Sequence, residues 1–349
     1  MKKIGKLILA AIALVMVNPL RGNSEEKNYL IANAEKNNSA VQIFRYYGND
    51  RFETSTILSN LLSIKGSEHI FLVNGENFAD ALFSGPLASV SNSPILLTKK
   101  GELPKVVENK IAEMKVKRVT IVGGLSSVSV DIENKVKKMG IVVDRISGSD
   151  RFETAKKLSD ARASVLGSKS SEKIAYASGT NFADALSATP FIYYDDVANI
   201  LPQNNKPIVE YIPYKNESNK GNTLYIFGGI NSVPQNVNSE YVTTRFSGAD
   251  RYATSVEIAK ECEKKLNNKI NTVFIASGED FPDALSVGPI VARHGSVVLL
   301  TEKNTLNAEV ARFISERQID RINIIGGEST ISKNVVNEIL ELLKSRNDN

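Results

Sequence analysis

Gly48-Asn49-Asp50-Arg51-Phe52-Glu53-Thr54 returns as Gly148-Ser149-Asp150-Arg151-Phe152-Glu153-Thr154 and again as Gly248-Ala249-Asp250-Arg251-Tyr252-Ala253-Thr254, at intervals of 100 residues. A heptamer at so regular an interval indicates three copies of one unit. The period has the size of a small domain and exceeds that of a solenoid repeat. The sequence therefore predicts three repeats, over 41–140, 141–240 and 241–344.

Each heptamer follows a strand-like run that ends in Arg-x-x-Gly, and each precedes an apolar helical pattern. Asp50 is a predicted helix N-cap, and Glu53 three residues later completes a carboxylate variant of the capping box. The arginine that follows the aspartate is unexplained, because a cation at the first helical position costs about 0.3 to 1 kcal/mol against the helix dipole. Three copies of such a residue indicate a partner carboxylate or a bound anion.

Strand and helix patterns alternate along each repeat. In the first repeat they predict strands at 41–46, 70–73, 95–97 and 119–122, with helices at 51–64, 77–90, 103–114 and 129–138. The third repeat is equally regular and includes a helix at 281–292, whereas prolines break up the middle of the second. There the sequence predicts a weak strand at 198–201, a long polar loop with a shortened helix, and a short helix after Pro234. The strands are continuous apolar runs, which is typical of parallel sheets covered by helices on both faces. The predicted fold class is α/β, with three tandem parallel-sheet modules.

The first 24 residues resemble a secretory signal peptide. Lys2, Lys3 and Lys6 precede an apolar run from Leu7 to Val17 that is too short to span a bilayer. The cleavage site is predicted somewhere in 22–34. The mature chain is therefore expected to be secreted, without a membrane span.

Charge and cysteine content narrow the function classes. Removing the four basic residues of the leader from the 43 in the chain leaves 39, against 39 acidic residues. A neutral mature chain gives no support to nucleic-acid binding by general electrostatic attraction, so any anion must be recognised by placed groups. One cysteine, Cys262, excludes an internal disulfide framework.

Three further motifs recur in every repeat. The first is Asn77-Phe78-Ala79-Asp80-Ala81-Leu82, matched by 181–186 and 280–285, and its aspartates Asp80, Asp184 and Asp283 suit either helix capping or a ligand. The second is an aliphatic strand, whose predicted core residues are Ile95, Leu96, Leu97, Ile200, Leu201, Val298, Leu299 and Leu300. The third is a glycine pair between strand and helix, which suits either close approach of an anion or a tight turn. The glycines are Gly123, Gly124, Gly228, Gly229, Gly326 and Gly327.

All these motifs fall where a strand ends and a helix begins, so in a parallel sheet they share the edge at which open α/β sheets bind ligands. The sequence favours neither of two interpretations of that edge. In one, Arg51, Arg151 and Arg251 bind an anionic polymer together with the aspartates and glycines. In the other, the arginines join the modules, through ion pairs with those aspartates or with a neighbouring module.

The set of motifs, in the same order three times, closely resembles the cell wall binding repeat 2 family, and the resemblance covers nearly all of the mature chain. The resemblance implies Rossmann-like or flavodoxin-like modules packed as a pseudo-threefold triangle, as in clostridial S-layer-associated cell wall proteins. It also implies noncovalent anchoring to an anionic cell-wall polysaccharide, with S-layer proteins as further partners. The aliphatic strand is associated with anchoring in that family. The second repeat departs from the pattern at Pro202 and Thr189, so its cleft, with Arg151, is predicted to be the weakest.

No enzyme is predicted. His69 and His294 do not correspond between repeats and are too few for a zinc amidase, and the chain contains neither a Gly-x-Ser-x-Gly elbow nor a Cys/His pair. The chain has neither a Gly-x-Gly-x-x-Gly fingerprint nor a P-loop lysine, so nucleotide binding is not predicted. We therefore expect a wall-anchoring protein without cofactor or metal. The alternative is a cell-wall hydrolase, such as an amidase or autolysin, or a modifier of one.

Overall fold

The computed structural model describes residues 28–36, 39–62, 68–166, 173–195, 199–203, 223–234, 242–267 and 269–344. Three predicted features lie outside these ranges: the leader at 1–24, the loop and shortened helix between 204 and 222, and the helix after Pro234.

Strands and helices alternate through all three repeats. The first part of the chain forms β1 (Asn28–Lys36), β2 (Ser39–Tyr46), α1 (Arg51–Ser59), β3 (His69–Asn74), α2 (Phe78–Val90), β4 (Ile95–Thr98), α3 (Lys105–Glu113), β5 (Arg118–Val122), α4 (Val130–Lys138) and β6 (Val142–Ile146). The middle forms α5 (Arg151–Leu166), β7 (Lys173–Ser178), α6 (Ala183–Tyr194), β8 (Asn199–Gln203), β9 (Thr223–Phe227) and β10 (Val242–Phe246). The last part forms α7 (Arg251–Leu266), β11 (Thr272–Ser277), a 3-10 turn (Pro282–Ala284), α8 (Gly288–Arg293), β12 (Val297–Thr301), α9 (Ala308–Ser315), β13 (Arg321–Ile325) and α10 (Lys333–Lys344).

The strands form three separate sheets, and we number the modules by them. Module one has the order β4-β3-β5-β6, module two has β8-β7-β9-β10, and module three has β12-β11-β13-β2-β1. All pairs are parallel except β1 with β2, which is antiparallel. The predicted fold class, three α/β modules with parallel sheets, is confirmed.

The strand before each heptamer belongs to the sheet of the preceding module. β6 pairs with β5 and β10 with β9, while β2 closes the ring by pairing with β13, so that Ile43 lies opposite Ile322. The sequence analysis placed strand 41–46 in the first repeat, as part of that repeat's own sheet. This prediction is wrong, because the strand belongs to the third sheet. In module one the reason is local, because β6 follows β5 through α4 and pairs parallel to it, whereas β2 has its parallel partner, β13, in the last repeat. The heptamer then carries the chain to the next module.

The aliphatic strands form the inner edges of the sheets. Ile95, Leu96 and Leu97 in β4 are at most 1% exposed, and Val298, Leu299 and Leu300 in β12 are equally buried. The helix after the heptamer packs on each of these strands, α1 on β4, α5 on β8 and α7 on β12. Ser55 Oγ accepts a hydrogen bond from Leu97 N at 3.1 Å, and Ser255 Oγ accepts one from Leu300 N at 3.0 Å. These hydroxyls satisfy backbone donors that an edge strand would otherwise leave unpaired.

Three helices meet at the centre of the molecule, because α2, α6 and α8 contact one another in pairs. Thr189 of α6 lies between Gly85 of α2 and Gly288 of α8, where Cβ atoms would come within 3.1 and 3.0 Å of its methyl group. Thr189, predicted as a defect of the second repeat, thus fills space that the two glycines leave.

The helix predicted at 281–292 is interrupted. It forms the 3-10 turn Pro282–Ala284 followed by α8, whereas the corresponding α2 runs unbroken from Phe78 to Val90. Two prolines, Pro282 and Pro289, each remove a backbone donor from this segment, while α2 contains only Pro86.

Candidate functional site

The heptamer forms a capped turn from strand to helix, as predicted. Asp50 Oδ1 accepts a hydrogen bond from Glu53 N at 2.9 Å, and Glu53 Oε2 accepts one from Asn49 N at 2.6 Å. In the second copy the equivalent bonds of Asp150 and Glu153 measure 2.8 and 2.7 Å. The repeated Asp and Glu are therefore accounted for by the helix start.

The three heptamer arginines hold a backbone carbonyl of their own module. Arg51 Nη1 donates to Gly75 O at 2.8 Å and Arg151 Nη1 to Gly179 O at 2.7 Å, and Arg251 makes the same bond to Gly278 O. Each acceptor directly follows the strand β3, β7 or β11, so the arginine fixes the heptamer to the rim of the sheet. This carbonyl is a partner that the sequence analysis did not consider.

The first glycine of each pair has a left-handed backbone, with φ of +103° at Gly123, +108° at Gly228 and +101° at Gly326. Its carbonyl oxygen accepts a hydrogen bond from the arginine of the Arg-x-x-Gly run, at 2.7 Å from Arg145, 2.7 Å from Arg245 and 2.8 Å from Arg45. The sequence analysis assigned no role to these arginines. In every copy these arginines lie three residues before the heptamer glycine, and this constant spacing is the signal in the sequence that could have identified them.

The motif aspartates lie against these first glycines. Asp80 Oδ2 accepts a hydrogen bond from Ser127 Oγ at 2.9 Å, and Asp283 Oδ2 accepts one from Thr330 Oγ1 at 3.0 Å. A Cβ atom on Gly123 or Gly228 would clash with the carboxylate of Asp80 or Asp184. The glycine pair is therefore required at least in part by the aspartate that packs on it.

Burial has the largest effect on the pKa of two of these carboxyl groups, those of Asp184 and Asp80. It raises the pKa of Asp184 to about 6, while a hydrogen bond from Ser232 and the charge of Arg251 act in the opposite direction. Burial also raises the pKa of Asp80, against Ser127 and the charge of Arg151. In both cases the opposing arginine comes from the next module along the chain.

Motifs of two successive repeats thus share one cleft. Between modules one and two lies a cavity of about 340 Å³, which we call the first seam. It is lined by Asn74, Asn77, Ala79, Asp80, Gly124, Ser126, Ser127, Gly148, Ser149, Asp150, Arg151 and Thr154. We call the corresponding contacts of the other modules the second and third seams: Asp184 interacts with the charge of Arg251 between modules two and three, and Asp283 contacts Thr54 between modules three and one.

Two sequence expectations change with this arrangement. Arg151 was assigned to the cleft of the second repeat, but it faces Asp80 and Gly124 of the first. The cause is the strand before the heptamer, which places each heptamer on the rim of the preceding sheet. The sheet edge that was predicted to bind a ligand is also the place where the modules meet. Ligand binding by the arginines and joining of the modules by the arginines are therefore geometrically compatible.

The predicted anchoring strands do not line the first seam. Ile95, Leu96 and Leu97 lie in the core of module one, and Ile200 and Leu201 lie in β8, where they pair with Ala175 and Tyr176 of β7. Pro202 is accommodated in the same strand, opposite Ala177.

The histidine and cysteine side chains, which could take part in catalysis or bind a metal, contact other groups of the protein or are buried. The ring of His69 contacts the hydroxyls of Thr120 and Ser93, His294 Nδ1 lies 2.8 Å from Ile290 O, and Cys262 is fully buried. Within the described ranges, no group of three or more His, Cys, Asp or Glu residues is arranged to hold a metal ion. No helix in the described part of the chain combines the length and apolar character needed to cross a membrane.

The profile of one protein family, cell wall binding domain 2, matches the chain three times, at residues 45–133, 145–238 and 245–336. The chain belongs to the cell wall binding domain 2 family. Membership also indicates a place at the cell wall or cell surface. Each match begins at the arginine of the Arg-x-x-Gly run, namely Arg45, Arg145 and Arg245.

Relatives of this cell wall binding domain 2 protein include two from Bacillus subtilis (strain 168). It is 28% identical over 297 residues to N-acetylmuramoyl-L-alanine amidase LytC, covering 84% of this chain and 57% of the relative. It is 29% identical over 301 residues to the amidase enhancer, covering 85% of this chain and 40% of the relative. The chain therefore spans only about half the length of these relatives.

Two solved structures from Clostridium difficile have the same fold. Cwp6 superposes with a TM-score of 0.77 at 25% identity, over 89% of this chain and 50% of Cwp6. Cwp8 superposes with a TM-score of 0.71 at 27% identity, over 86% of this chain and 52% of Cwp8.

Proposed function

We propose that this cell wall binding domain 2 protein is exported and anchors noncovalently to the Gram-positive cell wall. In this proposal it holds an anionic secondary wall polysaccharide in the seams between its modules and has no enzymatic activity of its own. S-layer proteins are further partners in the same proposal. The observation that carries it is the first seam, a polar cavity built from motifs that recur in all three repeats.

The lining of the first seam supports an anionic ligand. It combines the Arg151 side chain, the amide side chain of Asn77, the hydroxyl of Ser126 and the backbone of Gly124. Asn74 Nδ2 already donates to Ser127 O at 2.6 Å, and Asp150, the second carboxylate of the lining besides Asp80, caps α5 by accepting from Glu153 N at 2.8 Å. Guanidinium, amide and hydroxyl donors are the groups that recognise phosphate and carboxylate oxygens. Asp80 is occupied by Ser127 and acts in this arrangement as the support that positions the hydroxyl.

The charge of the mature chain gives the proposal a measurable property. Since basic and acidic residues balance outside the leader, attraction to the wall depends on short-range contacts with a few placed groups. We expect binding to weaken with salt, but less steeply than for a strongly cationic protein.

Co-sedimentation with isolated Gram-positive walls tests the proposal. The walls are used before and after treatment with hydrofluoric acid, which removes phosphodiester-linked polymers. We expect the protein to sediment with untreated walls and to stay in solution with treated ones. Equal sedimentation with both would point to peptidoglycan as the ligand and contradict a phosphate-bearing polysaccharide.

The names of the two Bacillus relatives provide the second candidate, a wall hydrolase or a modifier of one. A dye-release assay on labelled peptidoglycan decides between the two functions. The protein is assayed alone and together with an unrelated amidase. Turnover by the protein alone would contradict the proposal, and stimulation of the added amidase would favour a modifier.

A further inference from the structure

The three seams differ at the second glycine of the pair. A Cβ atom on Gly124 would lie 4.0 Å from its nearest neighbour, Ser126 Oγ, and one on Gly229 would have no described atom within 4 Å. On Gly327 it would meet the ring of Tyr47 at 3.5 Å. Tyr47 occupies the position that Ser147 and Ser247 hold in the other copies. Among the described residues, an aromatic ring therefore lies against the second glycine only in the third seam.

The residue after the glycine pair also differs. Leu125 and Ile230 follow the pair in the first and second seams and are 59% and 60% exposed, whereas Glu328 follows it in the third. The third seam thus has a carboxylate where the other two have an exposed aliphatic side chain. Glu328 is more than half exposed and lies 3.4 Å from Lys333, so solvent and this lysine weaken its repulsion of an approaching anion without removing it.

A third difference concerns the first residue of the motif that begins at Asn77, because this residue is acidic in the third seam. Asn77 and Asn181 begin the motif in modules one and two, and Asp280 begins it in module three. An amide that can donate hydrogen bonds to an anion is replaced by a group that repels it. Lys99 lies on this side of module one, but its ammonium group is 2.8 Å from Glu102 Oε2 and is already paired.

A direct bond further ties the two walls of the third seam together. Thr54 Oγ1 of the first heptamer lies 2.9 Å from Asp283 Oδ1, while Thr330 Oγ1 lies 3.0 Å from Asp283 Oδ2. Asp283 therefore contacts both modules that form this seam. Opening the third seam for a ligand would cost the bond between Thr54 and Asp283, which is the one of the two that crosses between modules.

We propose that the wall polymer occupies only the first and second seams, and that the third is a closed structural joint. This inference rests on the proposed function. Tyr47 and Glu328 set the number of binding sites, because one covers the backbone and the other repels a negative charge. The ligand class that suits the open seams is an anionic glycan, whose charge meets Arg151 or Arg251 and whose apolar sugar face meets Leu125 or Ile230.

Three matched variants test the assignment: Arg51→Gln, Arg151→Gln and Arg251→Gln. All three lose the same bond to a glycine carbonyl, so we expect similar shifts in melting temperature. Binding to isolated untreated walls is measured as an isotherm. We expect Arg151→Gln and Arg251→Gln each to weaken it about tenfold, as is typical for loss of a charged hydrogen bond, and Arg51→Gln to leave it near the wild-type value.

A gain of function provides the converse test. The double variant Tyr47→Ser with Glu328→Leu gives the third seam the residue types of the other two. We expect it to bind walls more tightly or to a higher saturation level, and adding Arg51→Gln should abolish that gain. A folded double variant with wild-type binding would overturn the roles of Tyr47 and Glu328.

The outcomes separate this inference from the proposed function. If the wild-type protein does not sediment with walls, the proposed function fails. If the wild-type protein binds and Arg51→Gln is as damaging as the other two changes, only the assignment of seams fails.

Discussion

At the scale of single residues, each seam depends on a carboxylate placed against a glycine. The left-handed φ of Gly228 and the nearby carboxylate of Asp184 both exclude a side chain at that position. Gly229, the next residue, has neither constraint among the described residues. The first glycine of the pair is therefore required by the fold, and in the proposed function the second leaves room for the ligand.

Alanine substitutions should separate these purposes. We expect Gly228→Ala to lower the free energy of unfolding by about 1 to 3 kcal/mol, from backbone strain and displacement of Asp184. Gly229→Ala is the matched control and should change stability by less than about 0.5 kcal/mol. Chemical denaturation of both variants measures the difference. Equal losses would contradict the proposed division of roles.

The buried carboxyl group of Asp184 should make stability depend on pH. Its pKa of about 6 in the folded protein lies above the unfolded value. The proton is therefore bound more tightly by the folded state, and the associated stability is lost as pH rises through about 6. Asp184→Asn, which is always neutral, should melt at a higher temperature than the wild type at pH 7.5.

The control for this prediction is the same pair of proteins at lower pH. We expect the advantage of Asp184→Asn, about 1 to 3 kcal/mol at pH 7.5, to shrink as the pH falls to 5. Thermal melts across this range test it. An advantage that stays constant with pH would show that the carboxylate charge is not its cause.

At the scale of secondary structure, the sequence was informative wherever a pattern is local. Capping of α1 by Asp50 and the alternation of strands and helices both follow from residues within a few positions of one another. The weak strand predicted at 198–201 forms as β8, which continues through Pro202. The partner of β2 does not follow from nearby residues, because the residues that pair with it lie in β13 at the other end of the chain. Pairing of the arginines with the aspartates or with a neighbouring module was one of the two interpretations, but that Arg151 shares a seam with Asp80 could not be specified, for the same reason.

The buried aliphatic strands give an element-scale prediction. Leu96→Ala removes a fully buried side chain from the inner edge of module one and should cost about 2 to 5 kcal/mol. We expect wall binding to be lost only in step with folding. Val165→Ala, at a position 57% exposed on α5, is the control and should change neither property. Loss of binding by Leu96→Ala with an unchanged melting curve would instead indicate direct contact with the polymer.

The strand β1 gives a prediction about processing. A cut after Ala34 would remove most of this strand and leave β2 at the edge of the third sheet, whereas a cut before Asn28 would keep the pair intact. Because an exposed edge strand invites pairing with other chains, we expect the mature protein to begin between residues 22 and 28. Intact-mass measurement of the secreted protein tests this. A mature chain that begins at Glu35 would contradict it.

At the scale of the whole molecule, one helix from each module meets in a tight central contact. Thr189 fits because Gly85 and Gly288 leave room for it. We expect Gly85→Thr to destabilise the protein by about 1 to 3 kcal/mol, since two threonines would compete for the same space. Adding Thr189→Gly should recover most of the loss, because it moves the single threonine from one helix to another. A double-mutant cycle measures this coupling, and simple additivity of the two changes would contradict it.

The pairing of β2 with β13 has a consequence for how the protein is made. Arg45 and the carbonyl of Gly326 that it binds are 281 positions apart, so closing this loop costs roughly 5 kcal/mol of chain entropy. During synthesis β2 emerges first and its partner strand almost last. Modules one and two can assemble while synthesis continues, but the third sheet has to wait until β13 has been made. Completion of the third sheet is thus tied to synthesis of the chain as far as Ile325.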